Sequence, residues 1–225
     1  MSFDLESFRR SKLYDLLMGL PLIAWFIYVM IGLRPELADD ARAVMAEPAN
    51  LMFNLRFYAY FAAAAFAGLN IYLIVMRTTP VLRARGIVPR AFAILGTFLG
   101  VGINHLKPVQ LHFGWASVAF ALILAGSAGS VIAIGNLGKS FSIMPEARKL
   151  VTTGPYAYAR HPLYAAEMLS IAGTAILYQQ PWAALLAIGV LILLTIRSYF
   201  EEQVLSEAYP EYAAYRAKVK RFGFI

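Results

Sequence analysis

The stretch Trp182–Phe200, WAALLAIGVLILLTIRSYF, has Arg197 as its only charged residue. About 20 consecutive apolar residues are enough for a helix to cross the hydrocarbon core of a bilayer. A helix or strand of a soluble core would interleave polar positions at a period of 3.6 or 2, and this stretch does not. Working outward, five more blocks of the same kind appear. They are Leu13–Leu33, interrupted by Pro21, then Leu51–Met76, the short Ala91–Leu106, Leu111–Ile134 and the short Pro162–Leu177. The expected fold is therefore an all-α, polytopic transmembrane helical bundle with about six spans.

Composition agrees. Hydrophobic residues make up 60% of the 225 and charged residues 15%, where a soluble domain carries about a quarter charged. The absence of cysteine excludes disulfides, thiolate-held metals, haem or iron–sulfur centres, and a cysteine nucleophile. The acidic start Met1–Glu6 is followed by Arg9, Arg10 and Lys12 before the first long block. That pattern reads as a retained helix, because a cleavable leader has a shorter apolar core and a small-residue cleavage site.

The formal net charge of +7 is explained by loops rather than by nucleic acid. Arg77, Arg83, Arg85 and Arg90 follow the second block with no acid among them, and Lys139, Arg148, Lys149 and Arg160 follow the fourth. The loop after the first block carries Glu36, Asp39, Asp40 and Glu47. Only Lys107 follows the third block, and the turn Gln179-Gln180-Pro181 is uncharged. Positive loops alternate with neutral or acidic ones, which six crossings satisfy. The positive-inside rule then places both termini and the basic loops in the cytoplasm, with the chain in the cytoplasmic membrane. The small-residue runs Ala62–Gly68 and Gly126–Ser130 suit close helix packing. The tail Glu201–Lys220 has Val204, Leu205, Ala208, Tyr212, Tyr215 and Val219 at mostly three- and four-residue spacing, the pattern of an amphipathic helix. Residues 1–134 read as four N-terminal spans and residues 135–225 as a functional core.

Chemistry concentrates in Asn136–Tyr164, NLGKSFSIMPEARKLVTTGPYAYARHPLY, a long polar connection rich in aromatics. Gly154-Pro155 marks a turn, and Pro162 suits the first position of the next helix. Arg160 and His161 then stand at that helix's N-terminus, where free N–H groups favour an anion. Glu167 lies inside a hydrophobic span, where a carboxylate usually faces a cavity or the protein interior. The last two blocks form a hairpin, so Arg160, His161 and Glu167 approach Arg197, Glu201 and Glu202.

LVTTGPYAYARHPLY followed by a hydrophobic hairpin, the pair Glu201-Glu202 and the spacing of Tyr212, Tyr215 and Val219 resembles the isoprenylcysteine carboxyl methyltransferase and phospholipid methyltransferase superfamily. The resemblance runs from about Gly135 to the C-terminus. It departs from the family pattern at Ala165-Ala166 and at Tyr209-Pro210. It implies an S-adenosylmethionine-dependent methyltransferase with a cytoplasmic cofactor pocket. Carried over, Tyr156, His161, Pro162, Tyr164, Glu201 and Glu202 belong to cofactor binding. Arg160, Glu167 and Glu201 are the catalytic candidates, and Arg160 and Arg197 the substrate-binding ones. No metal is required, since methyl transfer from a sulfonium is an in-line displacement that depends on alignment. The acceptor implied is a lipophilic molecule in contact with membrane lipid: a prenylcysteine-like carboxylate or other isoprenoid, or an aminophospholipid.

Taken singly, these residues have blander readings. Arg160 and Arg197 also suit helix-end anchors, and Glu201 and Glu202 a solvated helix face. Asn54 and Arg56 read as interfacial, and His105 and His112 as too isolated for a metal site. Ser140, Ser142 and Thr152-Thr153 lack an evident base. A nicotinamide-dependent sterol-type reductase and a non-catalytic membrane subunit are the competing functions.

Overall fold

A computed structural model describes residues 11–223. Arg9 and Arg10 of the N-terminal basic flank, and Phe224-Ile225 of the tail, lie outside the described residues. The described residues form seven α-helices: α1 Lys12–Ala46, α2 Leu51–Met76, α3 Val88–Phe98, α4 Phe113–Leu137, α5 Pro162–Ile176, α6 Trp182–Ala208 and α7 Tyr212–Lys218. Among the described residues, four helical stretches are long and apolar enough to cross a membrane, namely α1, α2, Phe113–Ser140 and α6, with mean hydropathy from 1.8 to 2.2 in their most apolar windows. This makes the chain an integral membrane protein. Their outward residues, such as Leu17, Tyr28, Phe61, Val118 and Ile192, are exposed apolar side chains of the kind a lipid environment covers.

Several elements differ from expectation. α1 runs through Pro21 and Pro35 and continues over the acidic stretch to Ala46. Hydropathy marks where the apolar band ends, not where the backbone ladder ends. The third block splits into α3 and a 3₁₀ segment, Leu99–His105. The tail is not one helix. Its first part continues α6 to Ala208, and Pro210 then holds Tyr209 in an extended conformation (φ −134°, ψ 104°) before the short α7.

The tightest packing joins α4 to α5. A Cβ on Gly173 would lie 2.6 Å from the Ala119 carbonyl oxygen, and one on Gly126 2.6 Å from that of Ala166. Glycine at both positions lets the two backbones touch. At one end of the bundle, β1 (Leu82–Arg83) pairs antiparallel with β2 (Glu146–Ala147), Leu82 opposite Ala147 and Arg83 opposite Glu146. This two-residue ladder fastens the two basic loops together. At the other end, the Val109 N–H donates to Leu177 O and the Gln179 N–H to Lys107 O, both at 2.9 Å, joining the two nearly uncharged loops. Basic and neutral connections thus gather at opposite ends.

Candidate functional site

Two cavities meet where α5 begins and α6 leaves the apolar band. The first is a solvent-open cleft of about 740 Å³ walled by the Leu137–Val151 connection, the Gly154–Tyr164 segment, Glu201 and Leu205 of α6, and Tyr212 and Tyr215 of α7. The second, of about 940 Å³, lies among the helices between Trp25, Phe66, Thr97, Ser130, Glu167, Val190 and Arg197. Phe141 and Leu163 line both and form the partition.

The cleft's wall is built around Glu202, which is 3% exposed. Its Oε1 accepts from Arg160 Nε (3.0 Å), Arg221 Nε (3.0 Å) and His161 Nε2 (3.2 Å), and its Oε2 from Arg221 Nη2 (3.0 Å). The segment after α7 is laid alongside: the Arg160 N–H donates to Lys220 O (2.9 Å) and the His161 N–H to Arg221 O (2.8 Å). Arg160 also donates through Nη1 to the carbonyls of Arg216 and Val219. A buried carboxylate surrounded by cationic donors is strongly held, so Glu202 fastens α6, the start of α5 and the tail to one another. It stands behind the cleft rather than lining it.

Glu201, about 100° around the helix, does line the cleft. It accepts from the Tyr164 hydroxyl and, at 3.1 Å, from Arg197 Nε. The His161 ring stacks on Tyr164 at 5.4 Å and 3°, and the Arg197 guanidinium sits 5.0 Å over the Tyr164 ring. The sequence His161–Tyr164–Arg197 is thus a continuous layer, with Glu201 as its counter-ion, between cleft and inner cavity.

Glu167, one turn past Tyr164, opens into the inner cavity and makes no hydrogen bond or ion pair among the described residues. It shares that cavity with Arg197, Asn70 and the hydroxyls of Ser127, Ser130 and Ser170. Pro162 opens α5 at its N-terminus and lines neither cavity.

Tyr156 is buried, with its hydroxyl unpartnered, and so is Tyr212. Burial raises both phenols above the usual tyrosine range, Tyr156 further through the nearby Glu201 and Glu167 charges, Tyr212 through Glu202. Tyr215 donates to Tyr156 O at 2.6 Å, and burial pushes its phenol up to about 12 against the opposing Arg160 charge. All three remain neutral donors at ordinary pH.

Sequence reasoning did not single out Arg221, Phe141 or the buried pair Arg148–Asp15, which meets at 2.8 Å. Arg221 looks like any basic tail residue, and nothing in a linear spacing joins Asp15 of α1 to position 148. Ser140 and Ser142 line the cleft, whereas Asn54, Arg56 and His112 lie outside both cavities. Arg56 pairs with Asp40 at 3.0 Å, and Asn54 donates to Pro48 O and Asn50 O at the start of α2. His112 caps α4. Ser142 donates to Glu146 at 2.9 Å, a carboxylate already committed to Arg83 and Arg148.

Residues 109–212 match the family model described as phospholipid methyltransferase. The match takes in α4, the hairpin α5–α6, and the start of α7. Among curated proteins, the chain is 31% identical over 116 residues to the nickel-cobalt-cadmium resistance protein NccN of Alcaligenes xylosoxydans xylosoxydans, covering 49% of this chain and 54% of that one. It is 34% identical over 74 residues to the cobalt-zinc-cadmium resistance protein CzcN of Cupriavidus metallidurans, covering 32% and 34%. The chain therefore spans about half the length of the first of these relatives and about a third of the second.

Proposed function

We propose, on the premise that residues 109–212 are a domain of the phospholipid methyltransferase family, that the chain is a membrane methyltransferase using S-adenosylmethionine on a lipophilic acceptor. One observation carries this reading: a cleft lined by charged and hydroxyl-bearing side chains and a more apolar cavity among the helices share a wall at Phe141 and Leu163. A water-soluble donor and a greasy acceptor need that arrangement. The cleft's residues fit the donor. Tyr156 and Tyr212 hold buried hydroxyls with no protein partner, and a buried donor left unpaired costs about 1–3 kcal/mol. The donor supplies an electrophilic methyl group when bound. The protein's task is alignment and exclusion of water.

In this reading Tyr156, His161, Tyr164, Glu201, Tyr212 and Tyr215 shape the donor cleft, Glu202 fixes its wall, and Pro162 sets the start of α5. Arg160 is spent on Glu202 and on backbone carbonyls, so acceptor contact passes from Arg160 to Arg197 and Glu167. The acceptor's head lies by these two groups and its tail among the helices. A prenyl or other lipophilic carboxylate would face Arg197. An amine or hydroxyl acceptor would face Glu167, whose carboxylate is placed to accept its proton.

We also read six crossings, with the cleft and both termini cytoplasmic. α3 with its 3₁₀ extension rises about 30 Å at 1.5 and 2.0 Å per residue, comparable with the bilayer core. The gathering of basic loops at the cleft end supports that orientation. The test is direct: incubate the purified chain in membranes with methyl-labelled S-adenosylmethionine, and in parallel measure binding of that donor and of NADPH. Saturable donor binding with label in a lipid extract upholds the reading. NADPH binding in its place would replace it with the reductase.

A further inference from the structure

We propose that the crevice between α1 and α3, at the end of the bundle that carries Asp15, binds the phosphate of an anionic membrane lipid. The crevice measures about 660 Å³ and is separate from the acceptor cavity. This inference does not depend on the methyltransferase reading.

The first argument is charge. Arg77, Arg83 and Arg90 line the crevice, Lys12 and Arg148 stand beside it, and Asp15 and Glu146 are the carboxylates there among the described residues. Those two are already shared. Asp15 takes Arg77 Nε and Arg148 Nη2, each at 2.8 Å, and Glu146 takes Arg148 Nη2 at 2.6 Å and Arg83 Nε at 3.1 Å. Arg90 lines the crevice, is exposed, and makes no ion pair among the described residues. Excess guanidinium charge drawn partly out of water is stabilised by an anion with several oxygens, as phosphate has.

The second argument is position, and it selects a lipid. Along α1 the crevice wall continues from Tyr14 to Met18 and Leu22, which are apolar. Three residues beyond Leu22, Trp25 meets Phe98 of α3 edge-on at 5.2 Å. The rise from Tyr14 to Trp25 is about 16 Å, roughly half the bilayer core. Beside the arginines, Val81, Ile87 and Val88 stand 69%, 79% and 52% exposed. Apolar side chains held outward among arginines belong at the membrane interface, at the depth of lipid phosphates. Basic pockets between helices on the cytoplasmic side are where anionic head groups bind.

The experiment uses the full chain purified in a neutral detergent. Retained lipids are counted by native mass spectrometry and thermal unfolding is followed with phosphatidylglycerol, phosphatidylcholine or inorganic phosphate. The variants are Arg90→Glu and Arg90→Lys. Arg90 has no protein ion pair to lose, so neither variant should alter unfolding without lipid. The expected result is saturable phosphatidylglycerol binding that raises the unfolding temperature, weakened at least tenfold in Arg90→Glu and kept in Arg90→Lys. Protection reproduced by inorganic phosphate alone would uphold the phosphate chemistry and overturn the lipid as its source. Equal binding of phosphatidylcholine, or an unchanged response in Arg90→Glu, would overturn the site.

Discussion

Glu202 and Glu167 are both carboxylates close to the start of α5, and their surroundings are opposite. Glu202 is saturated by Arg160, His161 and Arg221 and has little left to offer a ligand. Glu167 shares its cavity with Arg197 and makes no hydrogen bond or ion pair among the described residues. Charge that is fully paired by neighbours holds structure. Charge that the fold keeps unpaired is available for chemistry, because only there can a substrate complete the coordination.

The contrast gives four measurements. The largest effect should come from Glu202→Ala, which strands the guanidinium groups of Arg160 and Arg221 in a buried cluster. Unfolding in detergent should show a loss of about 3–5 kcal/mol, and near-neutral stability would break the comparison. Next, Glu167→Gln should fold like the parent while lowering methyl transfer about 100-fold, if the acceptor must lose a proton. Donor affinity, measured separately, should not move. Loss of donor binding instead would place Glu167 in the wrong cavity.

A smaller effect is expected at the cleft's unpartnered phenols. Tyr156→Phe or Tyr212→Phe should leave stability unchanged or slightly higher and weaken donor binding by about 1 kcal/mol, read by titration calorimetry. The smallest concerns Tyr215. Its folded-state pKa, about 12, lies above the ordinary value of 10.0. Because burial raises it, the stability tied to a neutral phenol is fully present below pH 10 and is lost as pH rises toward 12. The alkaline stability loss between those limits should be reduced in Tyr215→Phe.

Much of this was legible in the sequence. Long apolar blocks located all six helical elements of the bundle, and the hairpin Pro162–Phe200 required Arg160 and His161 to approach Glu201 and Glu202. The places where reading failed share a cause. The tail Glu201–Lys220 has helical periodicity throughout, yet one proline backbone divides it. α1 continues past Leu33 because acidic residues do not stop a helix; they only stop an apolar band. Arg221 and Arg148 carry no local signature, because their importance lies in partners about 20 to more than 130 positions away.

The sequence alone established a membrane-spanning helical protein and a polar cluster at the junction of α5 and α6. Bilayer thickness and backbone satisfaction leave few other uses for such blocks. Tertiary structure decided how adjacent residues divide their labour. Glu201 faces the cleft and Glu202 the protein, since neighbouring positions on a helix point about 100° apart. Tyr164 and Glu167 share a helix face but end in different cavities, because Phe141 and Leu163 come between them. Which face meets a cavity, and which meets three arginine and histidine donors, depends on how distant segments pack.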